Sequence, residues 1–125
     1  MRRKAAKLFN PRLKEIKKPW GKEIWFAQAP KYVGKILVIN KGHRLSRQYH
    51  KVKHETLYAL SGECSIELDG IVKTLKPGQS VIVPPRHIHR LHAKKSRATL
   101  AEVSTPEVED VVRLSDDYGR TKSRP

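Results

Sequence analysis

Short apolar runs of strand length, separated by turn-forming residue pairs, occupy this sequence from about residue 22 onward. The runs lie at 23–26, 33–39, 45–50, 55–60, 64–68, 71–75, 80–83 and 98–103. The pairs between them are Lys41-Gly42, Ser61-Gly62, Asp69-Gly70, Pro77-Gly78 and Pro84-Pro85. Because helical periodicity is nearly absent, this pattern predicts an all-β sandwich or barrel.

The clearest turn is Asp69-Gly70. Both residue types tolerate a positive φ, and apolar strand residues flank the pair on both sides. The pair therefore predicts a two-residue hairpin with a primed turn, joining two antiparallel strands.

The ends of the chain are less regular. Short helices are predicted at 4–9 and 13–17, with Pro11 as a breaker between them. Residues 108–114 fit either a last strand or a helical turn. We divide the chain into a basic N-terminal extension at 1–18, one domain at 19–120 and a basic tail at 121–125.

The chain carries a large positive charge, with 27 Lys and Arg against 12 Asp and Glu, for a formal net charge of +15. Such a charge attracts anions, among them nucleic acid, an anionic membrane surface or a phosphorylated metabolite. Much of the excess lies in the two terminal segments. Solvated tails are therefore the preferred interpretation, and a nucleic-acid role is the alternative.

The cysteine count and hydropathy bear on the location of the protein. Cys64 is the single cysteine, so no intramolecular disulfide and no paired-thiol metal site can form. No apolar run is long enough to span a bilayer, and no signal peptide follows the basic start. We expect a cytoplasmic protein with no membrane association.

Four residues on three predicted strands have the chemistry of a metal site. Gln48 and His50 share a face because side chains at i and i+2 of a strand point the same way. Glu55 opens the next strand, and His89 begins another after Pro84-Pro85. An amide, a carboxylate and two imidazoles suit a divalent metal such as zinc, manganese, iron or cobalt. His43 and His92 are interpreted as structural.

The spacing of these residues resembles the cupin superfamily. Gly42, Gln48, His50, Glu55 and Gly62 match its first signature, with glutamine in place of the first histidine. Gly78, Pro84, Arg86, His89 and Ala93 resemble its second signature, with Arg86 where glycine is usual and Ala93 where asparagine is usual. The resemblance implies a double-stranded β-helix, also described as a jelly-roll barrel.

Further matches resemble the type II mannose-6-phosphate isomerase domain that forms the C-terminal part of bifunctional mannose-1-phosphate guanylyltransferases. They are Pro19-Trp20-Gly21 and the segments 45–50, 89–91, 110–113 and 116–120, so that the similarity spans about 18–120. It implies Gln48, His50, Glu55 and His89 as ligands of one divalent ion, zinc first and manganese, cobalt, iron or nickel as alternatives. One departure is Lys51-Val52-Lys53, where the family usually has more histidine and arginine.

The resemblance implies interconversion of mannose 6-phosphate and fructose 6-phosphate. At this length we expect one domain and no guanylyl transfer. A general base and cations for the phosphate are then required. The candidate bases are His54, His87, Glu102 and Lys35. The candidate phosphate ligands are Arg120, then Arg113 and Arg86, with an ion pair to Asp116 or Asp117 as the alternative role of Arg120.

Two further interpretations stay open. The chain could be a non-catalytic metal-binding or sugar-binding cupin, a hypothesis motivated by Lys51-Val52-Lys53. Trp20 and Trp25 are interpreted as packing residues rather than sugar-stacking platforms. We expect a sugar phosphate as the small-molecule partner and a homodimer that covers exposed barrel edges.

Overall fold

Two antiparallel sheets, packed face to face, make up the fold. The computed structural model describes residues 14–121. The strands are β1 (Lys14–Lys18), β2 (Gly21–Ala29), β3 (Tyr32–Ile39), β4 (Arg47–Tyr49), β5 (Glu55–Ser61), β6 (Cys64–Leu68), β7 (Ile71–Leu75), β8 (Ser80–Val83), β9 (His89–His92), β10 (Ala98–Ser104) and β11 (Val112–Ser115). The order is β1-β2-β3-β10-β5-β8 in sheet A and β11-β4-β9-β6-β7 in sheet B. The all-β prediction is confirmed.

The predicted hairpin is present between β6 and β7. Asp69 and Gly70 have φ values of 51° and 83°, and Leu68 pairs with Ile71 across the turn. A primed turn matches the right-handed twist of the two strands that it joins. The hairpin therefore sets the register of β6, which pairs on its other side with β9.

The ends of the chain differ in part from the prediction. The helix predicted at 13–17 is wrong where the structure describes it, because Lys14–Lys18 is a strand that pairs along its whole length with β2. The helix predicted at 4–9 lies outside the described residues. Of the predicted segment 108–114, residues 112–114 belong to β11, whereas 108–109 form a turn. The domain boundaries stay predictions.

The core lies between the sheets and contains Trp20, Leu37, Ile39, Leu57, Ala59, Cys64, Ile66, Leu91 and Leu100, among others. Burial of one such leucine or isoleucine side chain contributes about 1.5–3 kcal/mol to folding. Trp20 is a core residue, as its packing interpretation predicts. Burial also raises the pKa of the Cys64 thiol to about 11.

The inward-facing side chains change from apolar to polar along three adjacent strands of sheet A. In β3 the inward positions run from Ile39 and Leu37 to Lys35 and end at Val33, and in β10 they run from Leu100 to Glu102 and Ser104. In β5 the buried Glu55 follows the same pattern. One end of the barrel is therefore a hydrophobic core, and the other end holds buried charged groups.

Candidate metal centre

Three buried side chains from three strand ends converge at the polar end of the barrel. His50 follows β4, Glu55 begins β5 and His89 begins β9, with exposures of 4%, 5% and 2%. One potential ligand atom from each lies within 4.8 Å of the others. Glu55 Oε1 is 3.0 Å from His89 Nε2 and 3.5 Å from His50 Nε2. The cluster has the residue types and spacing to hold a metal ion.

Hydrogen bonds to the backbone orient both imidazoles. His50 Nδ1 donates to the carbonyl of Asp110 at 2.5 Å, and His89 Nδ1 donates to the carbonyl of His87 at 2.9 Å. Because a carbonyl only accepts, Nδ1 carries the proton, and Nε2 of a neutral ring presents its lone pair to the cluster. Both Nε2 atoms are buried without a hydrogen-bond partner among residues 14–121. This arrangement fits a divalent metal, whose histidine ligands usually donate their other ring nitrogen to such an acceptor.

Gln48 lies beside this cluster. It is the register partner of His89 in the β4–β9 pair, and opposed residues of an antiparallel pair project from the same side of the sheet. Its Oε1 accepts a hydrogen bond from Ser46 Oγ at 2.9 Å. Gln48 as a fourth ligand stays a prediction.

A buried lysine that the sequence analysis did not select contacts the cluster. Lys53 Nζ is 3.3 Å from Glu55 Oε2 and 3.1 Å from Glu102 Oε2. Lys53 lies in the loop before β5, where the alternation of strand residues does not apply, so the spacing gave no signal for its burial. Lysine is rarely buried unless it is paired, and residue type alone therefore argued against it.

Burial and charge act in opposition on these groups. Burial alone would raise the pKa of Glu55, but contacts with His50 and His89 and the charge of Lys53 hold that pKa well below its ordinary value. Burial, followed by the charge of Glu55, raises the pKa of Glu102. Burial would lower the pKa of Lys53, but the two carboxylates outweigh it and raise that pKa. Glu55 is therefore an anion, and Lys53 is its buried counter-ion.

The candidate bases fall into two groups. Lys35 and Glu102 are both 5% exposed and are register partners in the β3–β10 pair. Lys35 Nζ is also 3.7 Å from Glu23 Oε1 and 4.3 Å from the centre of the Trp25 ring. The structure brings Glu102 to the cluster through Lys53.

His54 and His87 lie outside the cluster. His54 is exposed, and its backbone N–H donates to Thr105 Oγ1. The His87 ring pairs with Asp69 at the surface, at 2.5 Å, so its link to the cluster is the carbonyl that orients His89.

Two of the three candidate phosphate ligands line a cavity next to Gln48. Arg113 and Arg120 line it together with Lys18, Trp20, Glu23, Leu45 and Ser46. Arg113 is the register partner of Gln48, so Arg113, Gln48 and His89 form a row across β11, β4 and β9. Burial, followed by the charge of Arg120, lowers the pKa of Arg113, and its Nε has no hydrogen-bond partner within the described residues.

Arg120 and Arg86 have evident structural roles. Arg120 makes a two-point ion pair with Asp116, at 2.9 Å and 2.8 Å. This is the ion pair that the sequence analysis gave as the alternative role of Arg120. Asp117 pairs with Arg44, which anchors the same segment. Arg86 is exposed, and its backbone N–H donates to the carbonyl of His50 at 2.6 Å.

Comparison with known proteins assigns the family. The family model described as the cupin domain matches residues 35–103, and the chain belongs to the cupin family. Mannose-1-phosphate guanylyltransferase of Escherichia coli (strain K12) is 32% identical over 111 residues, which are 86% of this chain and 23% of that protein. The chain thus spans about a quarter of the length of the curated relatives it matches. The predicted resemblance to the cupin region of these proteins is confirmed.

Solved structures confirm the double-stranded β-helix. KdgF from Halomonas sp. superposes with a TM-score of 0.74 at 18% identity, covering 86% of this chain and 98% of that one. An RmlC-like cupin from Shewanella frigidimarina NCIMB 400 gives 0.72 at 21% identity, covering 88% and 98%. Among residues 14–121, no helix has the length and hydropathy needed to cross a membrane.

Proposed function

We propose that this chain is a metal-dependent sugar-phosphate isomerase that interconverts mannose 6-phosphate and fructose 6-phosphate. The observation that carries the proposal is the row Arg113, Gln48 and His89 across three neighbouring strands. Arg113 on β11 lies two strands away from His89 on β9, which separates their backbones by roughly 10 Å. A phosphorylated sugar is suited to such a site, with its phosphate at Arg113 and its reacting carbons near His89.

The metal is held, in this proposal, by His50, Glu55 and His89, with Gln48 as the fourth ligand and zinc as the first choice. The donor set of two nitrogens and two oxygens supports zinc, and it also admits manganese, cobalt, iron or nickel. When bound, the ion supplies positive charge beside the sugar oxygens on which negative charge develops.

Glu102 is our choice for the group that moves the proton between the two sugar carbons. As a carboxylate it accepts the proton from C2 of the aldose and returns it to C1 of the ketose. Its raised pKa brings it closer to the neutral pH at which a base is most effective. Lys35, its register partner, is the alternative. His54 is disfavoured by its exposed position.

Arg113 is our first choice for the phosphate, because its guanidinium has a buried donor without a partner among the described residues. Arg120 is the second choice for the phosphate. Its guanidinium lines the same cavity, and the ion pair with Asp116 holds it there. Arg86 does not line this cavity, which makes it the weakest of the three. The similarity to mannose-1-phosphate guanylyltransferase supports a phosphorylated mannose as substrate.

The test is turnover of mannose 6-phosphate by the purified chain, with each metal and with a chelator, compared between His89→Gln and His92→Gln. Both histidines are on β9, but His92 lies outside the cluster. We expect His89→Gln to lower kcat/KM by at least about 100-fold, since it removes a ligand, and His92→Gln to retain activity. Absence of turnover of any hexose 6-phosphate with every metal contradicts the proposal.

A second candidate is a non-catalytic metal-binding or sugar-binding cupin. The observation that favours it is Lys53, which already neutralises Glu55 and Glu102 inside the barrel. Such a protein binds metal and sugar phosphate but does not exchange the C2 proton with solvent. Deuterium incorporation at C2 of bound mannose 6-phosphate distinguishes the two candidates, because only the isomerase produces it.

A further inference from the structure

A second cavity lies at the side of the barrel, between an edge strand of each sheet, and we call it the apolar cavity. β7 is the last strand of sheet B and β8 is the last strand of sheet A, so the two sheets are not joined by backbone pairing there. The cavity has a volume of about 280 Å³ and is lined by Ile66, Leu68, Asp69, Ile71, Lys73 and Val81. It shares no lining residue with the cavity beside Gln48 or with the histidine and glutamate cluster.

Strand pairing directs the lining side chains into this cavity. Ile71 on β7 is the register partner of Leu68 on β6, and opposed residues of an antiparallel pair project from the same side of the sheet. Lys73 is likewise the register partner of Ile66, which is 4% exposed and lies in the core. Val81 on β8 is the register partner of the buried Leu57 and packs against the core from the other sheet. Four apolar side chains therefore surround the cavity, and one lysine stands among them.

Of the two charged residues that line the cavity, only the lysine is free to bind a ligand. Asp69 is already engaged, because its Oδ2 lies 2.5 Å from His87 Nδ1. Lys73 is exposed and makes no ion pair among residues 14–121. A lysine at an inward position of an edge strand hinders pairing with a strand of another chain, which is its simplest structural role. A positive charge beside an apolar space also suits a molecule that carries an anionic group on an apolar body.

We propose that the apolar cavity binds a small aliphatic carboxylate. Its hydrocarbon chain lies among Leu68, Ile71 and Val81, and its carboxylate lies at Lys73. A dry cavity of roughly 150 Å³ holds a benzene molecule, so a cavity of about 280 Å³ holds roughly eleven non-hydrogen atoms, which is close to the size of octanoate. The net charge of +15 on the chain favours an anionic occupant over a cationic one.

The inner side of sheet B thus has two different cavities, one on each side of the candidate metal centre. A single row of register partners crosses all five strands and consists of Arg113, Gln48, His89, Leu68 and Ile71. The cavity with the arginines lies at one end of this row, and the apolar cavity lies at the other. Carboxylate binding does not depend on the isomerase activity, since neither a metal nor a sugar phosphate takes part in it.

The experiment is an NMR titration of the isotope-labelled full chain with octanoate, in the presence of a chelator, and with octanol and octylamine as comparison ligands. We expect octanoate to bind with a Kd of roughly 0.1–1 mM and to shift the amide signals of Leu68, Ile71 and Val81. Octanol has the same hydrocarbon chain without the charge, and it should bind at least about threefold more weakly, a modest factor because the lysine is exposed. Octylamine should bind more weakly than octanol, because its charge is repelled.

Two pairs of variants separate binding of the hydrocarbon chain from binding of the carboxylate. Val81→Phe fills the cavity and should weaken octanoate and octanol alike by at least about tenfold. Its control is Ile82→Phe, which adds the same ring to the outer side of β8, at a position 65% exposed, and should leave both ligands within about twofold. Lys73→Gln should lower the affinity for octanoate to that for octanol and leave octanol unchanged. Lys76→Gln removes the same charge outside the cavity and is the control for that change.

Ile71→Trp replaces Val81→Phe if the latter does not fold, because Ile71 is 62% exposed and the larger ring blocks the cavity from its rim. The proposal is overturned if octanoate does not bind at up to about 10 mM, or if octanol or octylamine binds as tightly as octanoate. It is also overturned if Ile82→Phe weakens octanoate as much as Val81→Phe does. Unchanged octanoate binding in Lys73→Gln contradicts it as well, and leaves the lysine with protection of the edge strand alone.

Discussion

Arg86 illustrates how a single backbone angle supports the candidate metal centre. Its φ of 69° lies in the left-handed region, which a residue with a Cβ adopts at a cost. The bend brings its N–H to the carbonyl of His50 and leads into His89, so both histidines of the cluster depend on it. The sequence analysis identified Arg86 as standing where glycine is usual, and the positive φ is the physical reason for that usual glycine.

Replacing this arginine by glycine should therefore stabilise the protein. We expect Arg86→Gly to raise the free energy of unfolding by about 0.5–1 kcal/mol, because relief of strain exceeds the added freedom of the unfolded chain. Lys94→Gly is the control, since Lys94 is exposed and does not have a positive φ. Urea unfolding measures both; a loss of stability in Arg86→Gly equal to that in Lys94→Gly contradicts the explanation.

The sequence predicted which residues would come together where their spacing followed a pattern, but it did not predict which charged residue would be buried beside them. His50, Glu55 and His89 were selected from strand alternation and signature spacing, and the structure brings them together. Lys53 was passed over as part of an unusual segment, although it is buried between two carboxylates. The burial depends on Glu102 of β10, which is distant in sequence, so no local pattern could reveal it.

At the level of elements, the link between β10 and β11 holds the loop between β4 and β5. The Asp110 carboxylate accepts the N–H groups of Lys51, Val52 and Lys53, at 3.0, 2.7 and 2.9 Å. Its backbone carbonyl accepts from the His50 ring. One residue thus positions a loop, a histidine of the cluster and the buried lysine.

Asp110→Asn should loosen this loop while leaving the carbonyl in place. We expect a loss of about 1 kcal/mol in unfolding free energy, a small value because solvent reaches the carboxylate. The three N–H donors lower the pKa of Asp110 to about 2. Its contribution is therefore fully present above the ordinary value of 3.8 and disappears as pH falls towards 2.

The measurement is urea unfolding between pH 2 and pH 7, with Asp69→Asn as the control. Asp69 pairs with His87 at the surface, so its replacement should cost less at neutral pH. If the difference between wild type and Asp110→Asn is as large at pH 2 as at pH 7, the carboxylate is not the source of the effect.

Strand prediction was accurate where turn residues bounded an apolar run. The extents of β6, β7 and β8 match the predicted runs residue for residue. β1 was missed because its five residues, Lys-Glu-Ile-Lys-Lys, are mostly charged and owe their conformation to pairing with β2. Such a strand is specified by tertiary context rather than by its own sequence.

In the molecule as a whole, the polar end of the barrel is a balance of buried charges. Lys53 faces Glu55 and Glu102 in a space from which water is largely excluded, and removing one member of such a set leaves the others without compensation. A bound divalent cation would supply part of the same compensation. Global stability and metal affinity should therefore be linked through Lys53.

Lys53→Met tests this link. In chelator we expect the variant to lose about 3 kcal/mol of unfolding free energy, because two buried carboxylates lose their counter-ion. Excess zinc should restore more stability in the variant than in the wild type, where saturation at 100 times Kd gives about 2.7 kcal/mol. Lys51→Met, at the exposed neighbouring position, is the control. Equal stability of Lys53→Met and wild type in chelator contradicts the charge balance.

Because Cys64 is buried in the core, chemical modification of its thiol measures opening of the barrel. Its thiol lies among the core side chains, at the apolar end, with a pKa of about 11, and no second cysteine competes with it. An alkylating reagent reacts with the thiolate, so modification has to wait until the two sheets part. The rate at which Cys64 is labelled therefore reports how often the two sheets separate, and the measurement needs no engineered probe.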